Sequence, residues 1–234
     1  MPRGELRTVR VGEFDFEVRV HPGGPVNGAE ALLLHGFPQS AASWDGVAEH
    51  LSSQGVRSYA PEQRGYSPGA RPVDVASYRL SGLRADIVGL CDALGLRRIH
   101  LVGHDWGAIV AWDVAARYPD RVATLTAVSV PHPAAFARAR EIDPVQAEKS
   151  EYMAFFQQPG APEELLLAND CAGLRAGFGD TVPAEQSARS GVDATSEYVD
   201  AEYRLLVMEG VGHWIPEEAP ESLSRVVLDR IGLR

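Results

Sequence analysis

The chain has 234 residues, enough for one domain with a full hydrophobic core, and its 45% apolar and 23% charged content is ordinary for a soluble globular protein. Its formal charge of −10 argues against nucleic acid or an anionic membrane surface as partner, since both want a basic face. Two cysteines without CxxC spacing, Cys91 and Cys171, give no disulfide framework and no cysteine zinc site, and no apolar run is long enough to cross a bilayer. With no apolar leader in "MPRGELRTVRVGEF", the expectation is a soluble, cytoplasmic protein.

In chain order, "VRVGEFDFEVRV" alternates with period two and places Phe14, Phe16, Val18 and Val20 on one face, which predicts an antiparallel hairpin at a sheet edge. "AEALLLHG" is a short continuous apolar run, the pattern of a strand buried on both faces. A helix over residues 43–54, a strand in "VRSYAP" and a Gly/Pro-rich loop follow. In this loop Glu62, Arg64 and Gly65 are read as structural. The next helix carries Leu83, Ile87, Leu90 and Leu94 on one stripe. "RIHLVG" is a strand, "WGAIVAWDVAARY" a helix and "RVATLTAVSV" a strand again. Strands alternating with helices at this spacing predict an α/β fold with a mainly parallel sheet. The rhythm breaks over residues 132–186, which read as helices without strands: a partial, truncated helical lid inserted into a core of residues 1–131 and 187–234. In the second core segment "EYRLLVMEG" is expected as a strand and "ESLSRVVLDRIGL" as a helix.

The stretch "GHDWG" sits between a strand and a helix and has the form of a nucleophile elbow, with Asp105 where the nucleophile stands. The tight turn demands small neighbours, supplied by Gly103 and Gly107, and the helix N-terminus favours the negative charge. A carboxylate is nucleophilic without a general base. It suits attack on an sp3 carbon bearing a leaving group, giving an alkyl-enzyme ester that a histidine-activated water then hydrolyses. That second step builds an oxyanion, and the N–H groups of Phe37, in "HGFPQS", and Trp106 are placed to receive it. His213, in "GVGHWIPEEAP", is the one histidine that follows a late predicted strand. The competing structural roles are a helix cap for Asp105, core packing for Trp106, Trp44 and Trp112, turn structure for His35, packing beneath the sheet end for His104, and a plain loop position for His213.

Together "HGFPQS", "GHDWGA", "EYMAFFQQPG" and "GVGHWIPEE" resemble the epoxide-hydrolase branch of the α/β-hydrolase superfamily, over about residues 10–180 and 187–232. The resemblance implies the α/β-hydrolase fold, Asp105 as nucleophile, His213 as water-activating base, Phe37 and Trp106 as oxyanion donors, and Pro38, Tyr152 and Phe155 beside the substrate. It implies a small-molecule substrate; no metal or organic cofactor is expected, since the sequence has no HExxH, no P-loop and no dinucleotide glycine fingerprint.

The chain departs from the family pattern in two places. The strand and acid loop expected between the lid and the histidine are missing, and Glu185, Asp180 and Asp193 are the only weak substitutes for the acid that orients the base. The family's first lid tyrosine falls at Phe155, which has no hydroxyl, with Tyr152 one helical turn away. Three readings therefore stand: an epoxide-opening hydrolase with impaired turnover, a haloalkane dehalogenase-like hydrolase, and a homologue with little or no catalysis. With a strand lost, "EYRLLVMEG" either pairs directly with "VATLTAVSV" or leaves a sheet edge open, through which a homodimer can form.

Overall fold

The computed structural model describes residues 4–23, 28–179 and 189–233, with no account of side chains over residues 173–179. The chain groups into two units, Met1–Val130 with Ile215–Arg234, and Pro131–Trp214.

The first unit is built on a six-stranded sheet in the order β1-β2-β4-β3-β5-β6. Its strands are β1 (Glu5–Val11), β2 (Phe14–His21), β3 (Glu30–Leu34), β4 (Arg57–Pro61), β5 (Ile99–His104) and β6 (Val122–Val128). The predicted hairpin forms: β1 pairs antiparallel with β2, turning at Gly12, whose φ of +57° suits glycine. β2 pairs antiparallel with β4, and from β4 through β3 and β5 to β6 all pairing is parallel. The central strands carry the continuous apolar runs that burial on both faces requires. Leu32, Leu33 and Leu34 of β3 and Leu101 of β5 are fully buried.

Helices α1 (Asp45–Ser53), α2 (Leu80–Ala93) and α3 (Trp106–Arg117) follow their strands. The α2 stripe enters the core through Ile87, Leu90 and Cys91, and α3 through Val110, Ala111 and Val114, alongside Phe16, Val18, Leu32 and Leu101. The chain re-enters this unit at α9 (Ile215–Glu218) and α10 (Pro220–Ile231), the latter ending on Gly232 at φ +85°. α10 buries Leu223, Val227 and Leu228 on one face and packs against α1, where a side chain on Gly46 would meet the Pro220 ring at 3.0 Å.

The second unit contains α4 (Pro133–Ile142), α5 (Pro144–Lys149), α6 (Glu151–Phe155), α7 (Ala161–Gly179), broken at Ala168–Cys171, and the short α8 (Ser190–Asp193). The expected helical character of this segment is present. The strand expected in "EYRLLVMEG" is not: residues 202–208 have no regular structure, and Leu205, Leu206 and Val207 are exposed. A strand exists only by pairing. Among the described residues this segment's own unit holds no strand to pair with. Residues 189–214 group with the helices of the second unit. No helix among the described residues is long and apolar enough to cross a membrane.

Candidate functional site

The site assembles where β3 and β5 end side by side, with Leu34 opposite Gly103 in the parallel register. β5 stops at His104, Asp105 turns the chain at φ +52° and ψ −122°, and α3 begins at Trp106. A positive φ is rare for a residue with a side chain and is held only where the surroundings over-determine it. The surroundings are packed glycines. A Cβ on Gly107 would lie 2.2 Å from the Leu34 carbonyl oxygen, one on Gly103 would lie 2.4 Å from the Gly107 carbonyl oxygen, and one on Gly36 would lie 2.4 Å from the Asp105 Cβ. The small residues predicted around the elbow are thus required by backbone contacts, and Gly36 adds a third.

The loop after β3 meets the aspartate directly. The Phe37 N–H donates to Asp105 Oδ1 at 2.9 Å. The loop contains a cis peptide between Phe37 and Pro38. The Asp105 N–H in turn donates to the Val128 carbonyl at the end of β6, at 3.3 Å. One carboxylate oxygen is therefore tied to a backbone donor. Trp106 and Phe37 are both partly exposed, at 55% and 39%.

Buried polar groups hold this loop. His35 is fully buried. Its Nε2 accepts from the Gln63 N–H at 3.2 Å, which leaves Nδ1–H to donate to the Gly36 carbonyl at 2.9 Å, the neutral tautomer. Burial pushes His35 down to about 4, against the opposing pull of the Gly36 carbonyl and the Asp105 charge. The Tyr66 ring packs edge-on against His35 at 4.6 Å. Burial first, then the charges of Asp105 and Glu62, raise the Tyr66 hydroxyl above its ordinary value, so it remains a neutral phenol. The structural role expected for His35 is realised in this bonding.

A polar chain that the sequence does not announce lies beneath. His104, fully buried, has its Nδ1 2.8 Å from the Gln39 Oε1, and Gln39 Nε2 donates to Glu217 Oε2 at 2.5 Å. It joins the elbow, the loop after Phe37 and α9. Gln39 is visible within "HGFPQS", but its partners lie 65 and 178 residues away, and no local pattern reports such a separation.

Asp105, Phe37, Pro38 and Trp106 thus fall together in the first unit. His213, Tyr152 and Phe155 belong to the second. His213 packs edge-on against Trp214 at 4.7 Å. Tyr152 lies on α6 with its ring edge-on to Phe156, and Phe155 also contacts Phe156. Of the weak acid candidates, Asp193 is exposed and 3.3 Å from Arg189, an i,i+4 surface pair, while Asp180 and Glu185 lie outside the described residues. Among the described residues no cluster of metal-binding side chains occurs.

A parallel sheet whose fifth strand turns through a strained, glycine-packed acid into a helix defines an α/β-hydrolase. The chain belongs to the alpha/beta hydrolase fold family, whose model matches residues 32–157. It is 36% identical over 222 residues to Epoxide hydrolase A of Mycobacterium tuberculosis, covering 91% of this chain and 63% of that protein. Among solved structures it is similar to Epoxide Hydrolase A from Mycobacterium thermoresistibile (TM-score 0.79, 22% identity, 98% of each chain), a likeness of fold. It is also similar to the epoxide hydrolase of Bacillus megaterium solved with an inhibitor (TM-score 0.67, 30% identity, 74% of this chain and 58% of that one). The chain spans about half the length of the curated relatives it matches, from 46% to 63% for the first three.

Proposed function

We propose that the chain is a hydrolase that opens epoxides through Asp105. The observation that carries this reading is the Phe37 N–H held 2.9 Å from Asp105 Oδ1 at a strained elbow. It fixes one carboxylate oxygen, Oδ1, on a backbone donor, and the proposed attack is assigned to Oδ2. In the first step Oδ2 bonds to an epoxide carbon and the ring C–O bond breaks. The ring oxygen takes a proton, for which Tyr152 is the proposed donor, with Phe155 and Pro38 lining the apolar part of the substrate. In the second step His213 removes a proton from water and the hydroxide adds to the ester carbon. The charge that develops on Oδ1 then meets the Phe37 and Trp106 N–H groups. Collapse expels the alkoxide, which takes the proton back from His213 to give the diol, and the acid proton left on Asp105 passes to the Tyr152 phenolate, returning a carboxylate with one oxygen derived from water. The similarity to proteins named epoxide hydrolases supports this substrate class over alkyl halides.

The sequence lacks the strand and acid loop that the family pattern places before the histidine, so the second step is proposed to be the slower one. The test is intact-protein mass after brief incubation with an aryl epoxide in H2 18O, with diol assayed in parallel and Asp105→Ala as control. An Asp105-dependent adduct that accumulates, with slow diol release and slow 18O entry into the protein, is the expected result. Halide release from a haloalkane without reaction at the epoxide would replace the reading with a dehalogenase. Neither adduct nor diol would leave a homologue without this catalysis.

A further inference from the structure

The loop after β3 carries Phe37, whose N–H meets the nucleophile, and it is pinned on both sides of that residue. Before Phe37 the pin is His35, whose Nε2 accepts from the Gln63 N–H at 3.2 Å and whose carbonyl accepts from Gln63 Nε2 at 2.5 Å. After it the pin is Gln39, separated from Phe37 only by Pro38. Gln39 Nε2 donates to Glu217 Oε2 at 2.5 Å, and its Oε1 stands 2.8 Å from His104 Nδ1. All of these residues belong to the first unit.

The partners dictate which way the amide faces. A carboxylate only accepts, so Glu217 takes the nitrogen end of Gln39. The amide oxygen is thereby turned to His104, and Nδ1 must carry the hydrogen that it accepts. His104 is fully buried and immediately precedes Asp105, and a buried donor without an acceptor is costly. Gln39 thus ties the Phe37 loop to the strand that carries the nucleophile, with Glu217 fixing which end of the amide does so. Further along, the Ala41 N–H donates to Glu62 Oε1 at 3.2 Å, so the chain beyond the loop is secured without Gln39.

On the reading of Asp105 as nucleophile, on which this inference rests, the two chemical steps ask different things of the Phe37 N–H. When Oδ2 forms the ester bond, Oδ1 becomes a carbonyl oxygen and loses charge, so the N–H favours the starting carboxylate over that transition state. When water adds to the ester, Oδ1 becomes an oxyanion, and the same N–H stabilises it. A displaced Phe37 N–H therefore slows the second step and spares the first. We infer that Gln39 is a positioning residue for ester hydrolysis, holding the Phe37 N–H on Asp105 Oδ1 through its bonds to His104 and Glu217.

Two readouts on the full chain test this: exchange of the Phe37 amide hydrogen followed by NMR, and the rates at which an aryl epoxide adduct forms and then decays once the epoxide is removed. In Gln39→Ala the Phe37 amide is expected to exchange about tenfold faster. The adduct is expected to form at the wild-type rate or above it, and to decay about ten- to a hundredfold more slowly. Glu217→Ala, a change at an exposed side chain, is expected to act in the same direction. Gln39→Glu sets a second carboxylate against Glu217 and is expected to slow decay as well. Adding Glu217→Gln returns a donor to that contact, and the double variant is expected to recover both readouts. Equal slowing of formation and decay makes Gln39 a structural residue only and overturns the proposal. So does an unchanged Phe37 exchange rate, or a double variant no better than Gln39→Glu. A wild type that forms no adduct overturns the epoxide reading instead, and the Phe37 exchange rate then decides the positioning by itself.

Discussion

Asp105 holds a backbone conformation that costs a residue with a side chain about 1–3 kcal/mol, and the glycines around it keep it there. Their role is legible in the sequence, since a tight strand-to-helix turn demands small neighbours, and "GHDWG" supplies them. Gly107→Ala sets a methyl carbon 2.2 Å from the Leu34 carbonyl oxygen, which is backbone and cannot swing aside. The expected cost is about 2 kcal/mol or more in urea unfolding, with the elbow displaced and any Asp105 adduct lost. His35 gives a second measurement. Its folded value lies near 4, below the ordinary 6.5, so between those values the unfolded chain binds the extra proton. Stability is therefore full above about pH 6.5 and is lost as the pH falls toward 4, by up to about 3 kcal/mol from this group. His21, His100 and His132, also lowered by burial, act in the same direction. The comparison that isolates His35 is the loss of unfolding free energy between pH 7 and pH 4 in wild type and in His35→Gln. The variant is expected to start less stable and to lose less.

The loop after β4 shows what an element hides from sequence reading. Arg64 reads as structural from its place in a Gly/Pro-rich loop, but its partner sits 22 residues on, inside α2. Arg64 makes a two-pronged contact with Asp86, at 2.7 and 2.5 Å, donates to the Ser77 carbonyl at 2.7 Å, and lies over the Phe14 ring at 4.5 Å. Both side chains are nearly buried, at 10% and 6% exposure, so the pair ties loop, helix and hairpin together. Burial raises the Asp86 carboxyl while Arg64 lowers it. Arg64→Ala would leave that carboxylate without its cation. A loss of about 3–5 kcal/mol is expected, with Asp86→Asn partly restoring the double variant. The α2 stripe itself is visible in the spacing of Leu83, Ile87, Leu90 and Leu94. The ion pair is not, because contacts between loop and helix leave no periodic signal. By the same token the α10 pattern reveals an amphipathic helix but not that α1 receives it. Leu223→Ala, at 2% exposure on that seam, is expected to cost about 2–4 kcal/mol in a thermal or urea melt.

At the scale of the whole molecule, legibility tracks where apolar burial lies. The sheet from hairpin to β6 follows from strands that bury themselves, and its order and parallel direction agree with the α/β rhythm. The failure at 202–208 comes from the other unit, where, among the described residues, an apolar run has no strand of its own unit to pair with and remains exposed. The contrast is general. Of the buried apolar residues among the described ones, Pro131–Trp214 contributes only Ala135 and Ala139, while Ile142, Val145, Leu165, Leu167, Leu205, Leu206 and Val207 are exposed. Two alanines offset little of the conformational entropy of ordering such a segment, whereas β3, β5, α2 and α3 interlock around Leu32, Leu101, Leu90 and Val110. Free energies of local opening should therefore divide at the unit boundaries. Native-state hydrogen exchange is expected to show amides of α4 to α8 exchanging far faster than those of β3 and β5, and limited proteolysis to cut first within 131–214. Equal protection across both units, lost in one transition with denaturant, would mean that the segment draws its stability from contacts outside itself.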